Sequence, residues 1–207
     1  IYLTPLLKKF GNKYNLKDIP NDRTQHSLPK ISLGGASIVL SFFIAVLTAF
    51  LYLAMNNIQI SNFTSIIIIL FFLFNFFVLG LLDDLFTLSP FTRLFCQFVI
   101  SFGIWLSGLR IESLNFNLLS NSIEAIQLSP GLSIIITLLW ITGLTNAFNW
   151  IDGLDGLASG VSSIICSAFI LIAFSLNNYI LALFLISLLG SNIGFLKYNF
   201  YPSSIMM

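Results

Sequence analysis

The chain has 207 residues, of which 57% are hydrophobic and only 8% are charged, and its formal net charge is +1. A soluble globular domain carries about a quarter charged residues, so this composition excludes an ordinary soluble protein and indicates a membrane protein. A net charge close to zero also argues against nucleic acid as a partner.

The chain begins with an apolar stub followed by a basic segment. We interpret Ile1–Leu7 as the tail of an earlier span, and so expect the sequence to be a fragment. Six of the nine Lys and Arg residues lie between Lys8 and Lys30. Short loops rich in these residues stay in the cytoplasm, which places this segment inside. His26, the only histidine, lies in it, where local chemistry alone favours a solvated side chain.

Six apolar stretches follow, and most are long enough to cross a ~30 Å hydrocarbon core at about 1.5 Å per residue. They are Leu33–Met55, Phe63–Leu82, Leu94–Leu109, Gly131–Asn149, Leu157–Leu176 and Tyr179–Leu196. Ser89 and Pro90, just before the third stretch, are typical of an N-cap and a first helical residue. The sequence predicts an all-α transmembrane helical bundle of about six spans, with residues 1–207 forming a single membrane domain.

Counting spans from the basic segment places the polar clusters on one side of the membrane. The cytoplasmic groups are then the basic segment, Asp83-Asp84, Arg93, Asn146–Gly156 and Lys197. Charge bias fixes only the first of these, and the others follow from the number of spans. We therefore expect the motifs to lie on cytoplasmic loops that form one active face.

Two adjacent carboxylates, Asp83 and Asp84, come directly after the second stretch. The C-terminal end of a helix carries a negative partial charge, which disfavours both acids. A membrane border usually carries Lys, Arg, Trp or Tyr instead. A solvated acid pair in a loop is one interpretation. The other is a pair held for a divalent cation or a phosphate-linked proton, since Mg²⁺ prefers a few carboxylate or amide oxygens.

Two amides at the end of the fourth stretch and two carboxylates that follow it form one polar cluster. They are Asn146, Asn149, Asp152 and Asp155, each three residues from the next. A carboxylate at the centre of a span costs roughly 2.5–3.5 kcal/mol on insertion scales, so we expect a site at a span end. Gly153 and Gly156 are expected either to break the helix or to let a ligand approach the backbone closely. The helix that starts near Leu157 offers free N–H groups to a phosphate, unless Asp155 caps it.

Three motifs, in this order, carry a family resemblance. They are Asp18-Ile-Pro-Asn-Asp22-Arg23-Thr-Gln-His26 followed by Gly34-Gly35; Gly80-Leu-Leu-Asp83-Asp84-Leu followed by Ser89-Pro90, Arg93 and Gln97; and Asn146–Ala158. The chain resembles the polyprenyl-phosphate N-acetylhexosamine-1-phosphate transferases of glycosyltransferase family 4, the MraY-like and WecA-like enzymes. The third motif resembles the WecA-like branch, which handles UDP-N-acetylglucosamine or related amino sugars.

The resemblance implies an activity, a metal and a location. The activity is transfer of a sugar-1-phosphate from a UDP-sugar to undecaprenyl or another polyprenyl phosphate, with release of UMP, to start cell-envelope polysaccharide synthesis. The metal is Mg²⁺, and the location is the cell membrane, spanned many times, with the site facing the cytoplasm. The roles implied are catalysis by Asp83 and Asp84, metal binding by Asn149, and substrate binding by Asp155, Asp152, Asn146, His26 and Arg23.

Several alternatives stay open beside this interpretation. The nearest is a phospho-N-acetylmuramoyl-pentapeptide transferase of peptidoglycan synthesis. CDP-alcohol phosphatidyltransferases, aromatic-acceptor prenyltransferases and a non-enzymatic transporter fit the placement of the acids less well. A homodimer is left open. Asn199–Met207 looks like the approach to a further metal-binding Asp of the family, so we expect the 207 residues alone to be inactive.

Overall fold

The computed structural model describes residues 1–14, 17–18, 30–31, 33–58, 62–115 and 125–206. The predictions made for Arg23 and His26 lie outside these residues. Within them the elements are α1 (Leu3–Lys13), β1 (Lys17–Asp18), β2 (Lys30–Ile31), α2 (Gly34–Met55), α3 (Phe63–Phe86), α4 (Pro90–Leu106), β3 (Ser113–Leu114), β4 (Ile126–Gln127), α5 (Pro130–Ile151), α6 (Leu157–Ser175) and α7 (Tyr179–Asn199).

Five of these helices, α2, α3, α5, α6 and α7, are long and apolar enough to cross a membrane, and α4 is a shorter apolar helix. At most 28% of the most apolar part of any of the five is buried inside the protein. Side chains so apolar and so exposed are stable only against lipid, where a helix satisfies its own backbone hydrogen bonds. The predicted all-α, polytopic membrane fold is confirmed, with five candidate spans and one shorter helix.

The chain divides into two compact units, and the first consists of Ile1–Ser61 and Phe148–Met207. Here α7 packs against both α6 and α2. Small residues at the contacts, such as Ala173 and Ala182, are fully buried, which lets the helix backbones approach closely. Phe195, near the end of α7, is also buried, with 1% of its surface exposed. The core of this unit therefore follows α7 along its length.

The segment after α7 returns to the start of α2 in the first unit. Met206 donates its N–H to the carbonyl of Ile31 (2.9 Å) and accepts from the N–H of Gly34 (2.8 Å). Ile205, between these contacts and α7, is completely buried. The helix α1 also packs on α2. Neither the fold of α1 nor the β1–β2 pair was predicted, because the sequence there shows only a short stub and scattered charges.

The second unit is Asn62–Ala147, in which α3 packs against α4. A Cβ atom on Gly103 of α4 would lie 2.8 Å from Cε1 of Phe72 in α3, so a larger residue there would require the ring of Phe72 to shift. The helix α4 begins as predicted, since Ser89 accepts from the N–H of Thr92 and Pro90 is the first helical residue. The sequence placed this apolar stretch at Leu94–Leu109, whereas the helix starts and ends earlier.

A β-hairpin of two-residue strands, β3 and β4, lies between α4 and α5. Its start is tied to α5, because Ser133 Oγ donates to the carbonyl of Ile111 (2.7 Å) and Thr137 Oγ1 accepts from the Ile111 N–H (3.1 Å). Trp105 Nε1 donates to the same Ser133 oxygen (3.0 Å). The sequence analysis predicted no strand between these helices, because strands this short leave no alternation to detect.

Candidate functional site

The acids of the second motif lie on a helix and not in a loop. The sequence ended this span at Leu82, but α3 continues to Phe86. Its last turn closes at Thr87, whose N–H donates to the carbonyl of Asp83 (2.8 Å) and whose backbone is left-handed. The hydrogen-bonded helix runs one turn further, because Leu85 and Phe86 still favour it.

The carboxylate of Asp83 bridges α3 and the start of α4. Oδ1 accepts from the N–H of Leu88 (3.1 Å), and Oδ2 accepts from Nη1 of Arg93 (2.9 Å). The side chains of Asp83 and Arg93 are 19% and 26% exposed. This ion pair offsets the unfavourable position of Asp83 at the negative end of α3, and the positive end of α4 lies beside it. Asp84, the next residue, is exposed.

Asn146 joins the third motif to α4, the helix that contains Gln97. Its Nδ2 donates to Gln97 Oε1 in α4 (2.7 Å) and to the carbonyl of Thr142 one turn earlier in α5 (2.8 Å). Gln97 is only 4% exposed. Buried amides in an apolar setting need such partners, since an unsatisfied polar group there is costly. The bond therefore fixes the side chain of Asn146 within the second unit.

The first unit holds Asn149, Asp152 and Asp155. Asn149 lies in the last turn of α5 and is exposed, whereas Asp152 comes directly after the helix and is half-buried. The N–H of Asp152 still donates to the carbonyl of Phe148 (3.2 Å). The helical spacing therefore reaches Asp152 and stops before Asp155. The predicted break is confirmed, with a turn at residues 152–156 between α5 and α6.

Asp155 does not cap α6, which was one alternative. The cap residue is Gly156, in the left-handed region at φ +75°, and no side chain caps the helix. The carboxylate of Asp155 instead accepts from Ser203, from the N–H at 3.0 Å and from Oγ at 2.6 Å. The Gly156 N–H donates to Asn199 Oδ1 (3.0 Å). This N–H is thus bound by the protein and is not offered to the predicted phosphate.

Metal-binding clusters of the carboxylate-rich kind are absent from the part of the chain that the structure describes. No three His, Cys, Asp or Glu side chains there are close enough together to hold an ion. The motif carboxylates are Asp83 and Asp84 in the second unit, and Asp152 and Asp155, accompanied by the amide of Asn149, in the first. All of these offer oxygen atoms, the kind of ligand that Mg²⁺ prefers.

A known protein family matches the part of the chain that holds most of these residues. The model of Glycosyl transferase family 4 matches residues 66–207, which include both acids of α3 and the whole of the third motif. The chain belongs to Glycosyl transferase family 4. The family expected from the three motifs is thereby confirmed.

Two relatives of this family 4 chain carry different names. The probable undecaprenyl-phosphate N-acetylglucosaminyl 1-phosphate transferase of Bacillus subtilis (strain 168) is 31% identical over 207 residues, covering 100% of this chain and 54% of the relative. The phospho-N-acetylmuramoyl-pentapeptide-transferase of Staphylococcus aureus (strain JH9) is 28% identical over 221 residues, covering 99% of this chain and 65% of the relative. The family 4 chain thus spans between half and two thirds of their lengths.

Sequence reasoning named the motif residues of this family 4 chain but missed their supports. Asn199 and Ser203 contact the third motif from 43 and 48 residues away, and they were given no role. Gln97 and Arg93 were quoted in the second motif without one. A signal did exist for Asn199 and Gln97, because an amide in an apolar helix needs a polar partner. For Ser203 the sequence offers no such signal.

Proposed function

We propose that the protein transfers N-acetylglucosamine-1-phosphate, or the 1-phosphate form of a related amino sugar, from a UDP-sugar to undecaprenyl phosphate. The match to the Bacillus relative carries this proposal. It extends over the whole chain at 31% identity, against 28% for the Staphylococcus pentapeptide transferase. The reaction would start a cell-envelope polysaccharide at the cytoplasmic face of the cell membrane.

The bonds made and broken define what the side chains must do. An oxygen of the lipid phosphate forms a bond to the phosphorus that carries the sugar. The bond between that phosphorus and the oxygen of UMP breaks, and UMP leaves with the electron pair. Phosphoryl transfer of this kind depends mainly on positioning and on charge neutralisation. The protein therefore needs groups that hold two phosphates in line and that control a proton on the attacking one.

The two acids of α3 are proposed to serve the lipid phosphate in different ways. The carboxylate of Asp83 is held by the Leu88 N–H and by Arg93. Asp83 is therefore suited to orient the turn after α3 and the adjacent Asp84. Asp84 is exposed, and its carboxylate suits contact with the lipid phosphate or acceptance of its proton. Asn146, Asp152 and Asp155 are proposed to bind the UDP-sugar, together with Arg23 and His26 of the basic segment.

Mg²⁺ fits the donors of the third motif. Mg²⁺ is usually held by one or two carboxylates together with substrate phosphates and waters, so the absence of a larger cluster among the described residues does not conflict with it. Asn149, exposed at the end of α5, is the proposed ligand. When bound, the ion would neutralise charge on the diphosphate. The chain's own residues then position the two substrates.

Phospho-N-acetylmuramoyl-pentapeptide transfer is the second candidate, and the Staphylococcus relative favours it. The two reactions share the lipid acceptor, the release of UMP and the bond that breaks. They differ only in the group attached to the transferred phosphate. A direct comparison of the two UDP-sugars as donors therefore separates them.

The test uses membranes that carry the complete gene product. They are incubated with radiolabelled UDP-N-acetylglucosamine, undecaprenyl phosphate and Mg²⁺, with and without EDTA. Asp84→Asn and Asn149→Ala variants are assayed beside the wild type. We expect labelled lipid from the wild type, and a loss of about a hundredfold or more in each variant, since both groups act on the transition state.

The outcomes separate the parts of the proposal. Product from the muramoyl-pentapeptide donor alone would support the proposed class of reaction but would contradict the proposed sugar. Full activity in EDTA would contradict the proposed requirement for Mg²⁺. Lipid product from none of the UDP-sugars tried would overturn the proposed function itself.

A further inference from the structure

A polar cluster in the first unit joins the turn at residues 152–156 to residues outside the third motif. Its members are Asp155, Gly156, Ser159, Asn199 and Ser203. The turn lies between α5 and α6, whereas Asn199 ends α7 and Ser203 follows it. The contacts therefore join two stretches that are far apart in the chain. They are also the contacts through which Asp155 meets the segment after α7.

Asn199 uses both ends of its amide at once. Oδ1 accepts from the Gly156 N–H (3.0 Å) and from Ser159 Oγ (3.0 Å), and Nδ2 donates to the carbonyl of Ile205 (3.0 Å). The residue is 3% exposed. A buried amide satisfied in this way has one allowed orientation, since turning it would leave donors facing donors. Asn199 thus fixes the distance between the turn and the segment after α7.

Gly156 is packed against the same residues. A Cβ atom at this position would lie 3.6 Å from the carbonyl oxygen of Asn199 and 3.6 Å from Cα of Phe200. Its backbone is also left-handed, a conformation that glycine adopts without strain. The turn therefore lies directly on the end of α7.

Ser203 holds the carboxylate of Asp155 with two donors. The N–H and the hydroxyl of Ser203 bind different oxygens, Oδ2 and Oδ1, at 3.0 and 2.6 Å. Two bonds to the two oxygens of one carboxylate fix the plane of the group as well as its position. The segment that carries Ser203 is itself anchored, because Met206 exchanges hydrogen bonds with Ile31 and Gly34.

We infer that Asn199 and Ser203 are positioning residues of the UDP-sugar site, which they serve by holding Asp155 and its turn in one geometry. The inference rests on the proposed function for the nature of the ligand. It adds that the segment after α7 affects binding of the UDP-sugar, although this segment belongs to none of the three motifs. The group that contacts the UDP-sugar is Asp155, and Ser203 acts through it.

The kinetic test replaces the hydroxyl of Ser203 in the complete gene product. Ser203→Ala removes the shorter of the two bonds, a hydrogen bond to a charged group, so the KM for UDP-N-acetylglucosamine is expected to rise about tenfold. The KM for undecaprenyl phosphate and kcat are expected to stay within about twofold. Ser203→Thr keeps the hydroxyl and is expected to restore the wild-type KM.

Ser204→Ala is the matched control. Ser204 is the next residue and is also half-buried, but its hydroxyl donates to the carbonyl of Tyr198 (3.2 Å). Its loss is expected to leave both KM values unchanged. An equal rise in KM in Ser203→Ala and Ser204→Ala, or no rise in either, would overturn the inference. So would a loss that follows only the amount of folded protein.

Hydrogen exchange supplies a readout that does not depend on activity. Exchange of the amides in residues 152–157 is expected to be faster in Ser203→Ala than in Ser204→Ala. Equal exchange in the two variants contradicts the positioning role even if the wild type transfers no sugar. Absence of product from the wild type would instead contradict the proposed function. If Ser203→Ala does not fold, Ser203→Cys keeps the volume with a much weaker donor and is expected to show the same two changes.

Discussion

Asp83 and Arg93 show how the chain keeps a carboxylate in the last turn of a helix, where the helix dipole disfavours it. The guanidinium and the Leu88 N–H each take one oxygen, so the charge is balanced within the second unit. The adjacent Asp84 is exposed. Two neighbouring acids therefore have different surroundings, and we expect them to differ in how strongly they affect stability.

Arg93→Met tests the ion pair. The substitution leaves the mostly buried carboxylate of Asp83 without its cation, so the free energy of unfolding is expected to fall by about 1.5–3 kcal/mol. The control is Arg110→Met, because Arg110 pairs with Glu112 where both side chains are exposed, at 39% and 63%. An exposed pair contributes about 0–1 kcal/mol. Thermal unfolding in detergent measures both, and equal losses would contradict the prediction.

At the scale of helices, the ends carry most of the specific interactions. The interiors are mostly apolar, so their order in the chain could be predicted from composition alone, and five spans and one shorter helix appear where apolar stretches were found. The ends depend on contacts that composition does not show. The helix α3 passes its acids and stops at Thr87. The cap residue of α6 is Gly156, which has no side chain to cap the helix, and Asn199 of another helix binds the Gly156 N–H.

Ser89→Ala tests the start of α4. The hydroxyl of Ser89 accepts from the Thr92 N–H at 3.1 Å, and loss of such a cap costs about 0.5–2 kcal/mol. Ser129, which also precedes a proline, is the control, since its hydroxyl meets the Leu132 N–H only at 3.4 Å. Thermal unfolding is expected to show a larger loss for Ser89→Ala than for Ser129→Ala. A larger loss at Ser129 would argue against the cap.

Gly34→Ala tests the contact between α2 and the segment after α7. A Cβ atom there would collide with the carbonyl oxygen of Met206 and would lie 2.5 Å from Cζ of Phe195. The backbone carbonyl cannot easily move, so a loss of about 1–3 kcal/mol is expected. Gly190→Ala is the control, because no atom lies within 4 Å of a Cβ built there, and alanine favours a helix. Similar melting temperatures for the two variants would contradict the packing described.

For the whole molecule, the sequence was most informative about membrane insertion and least about contacts between distant segments. An apolar stretch is visible without knowing its neighbours. The bond between Asp155 and Ser203 joins residues 48 positions apart, and nothing in the local pattern of either one identifies the partner. The three motifs could be found because the family resemblance names them, whereas their supports required the fold.

The predicted orientation is a property of the whole chain. A helix of 21 residues such as α7 is about 31 Å long, which is enough for its ends to reach opposite sides of the membrane. In a background with Cys96 and Cys166 replaced, Asn177→Cys is expected to react with an impermeant maleimide in intact cells. Lys197→Cys is expected to react only after lysis. Labelling of both positions in intact cells would contradict a cytoplasmic active face.

The hydrogen bonds from the end of α7 to the turn at residues 152–156 have a consequence for biosynthesis. A ribosome adds about 5–20 residues per second, and Ser203 follows Asp155 by 48 residues, so about 2–10 s separate the two. During that time α6 and α7 enter the bilayer while Asp155 still lacks the two donors that orient it. The turn that carries Asp155 therefore takes its final geometry only when the nascent chain has been extended beyond the last membrane helix described here.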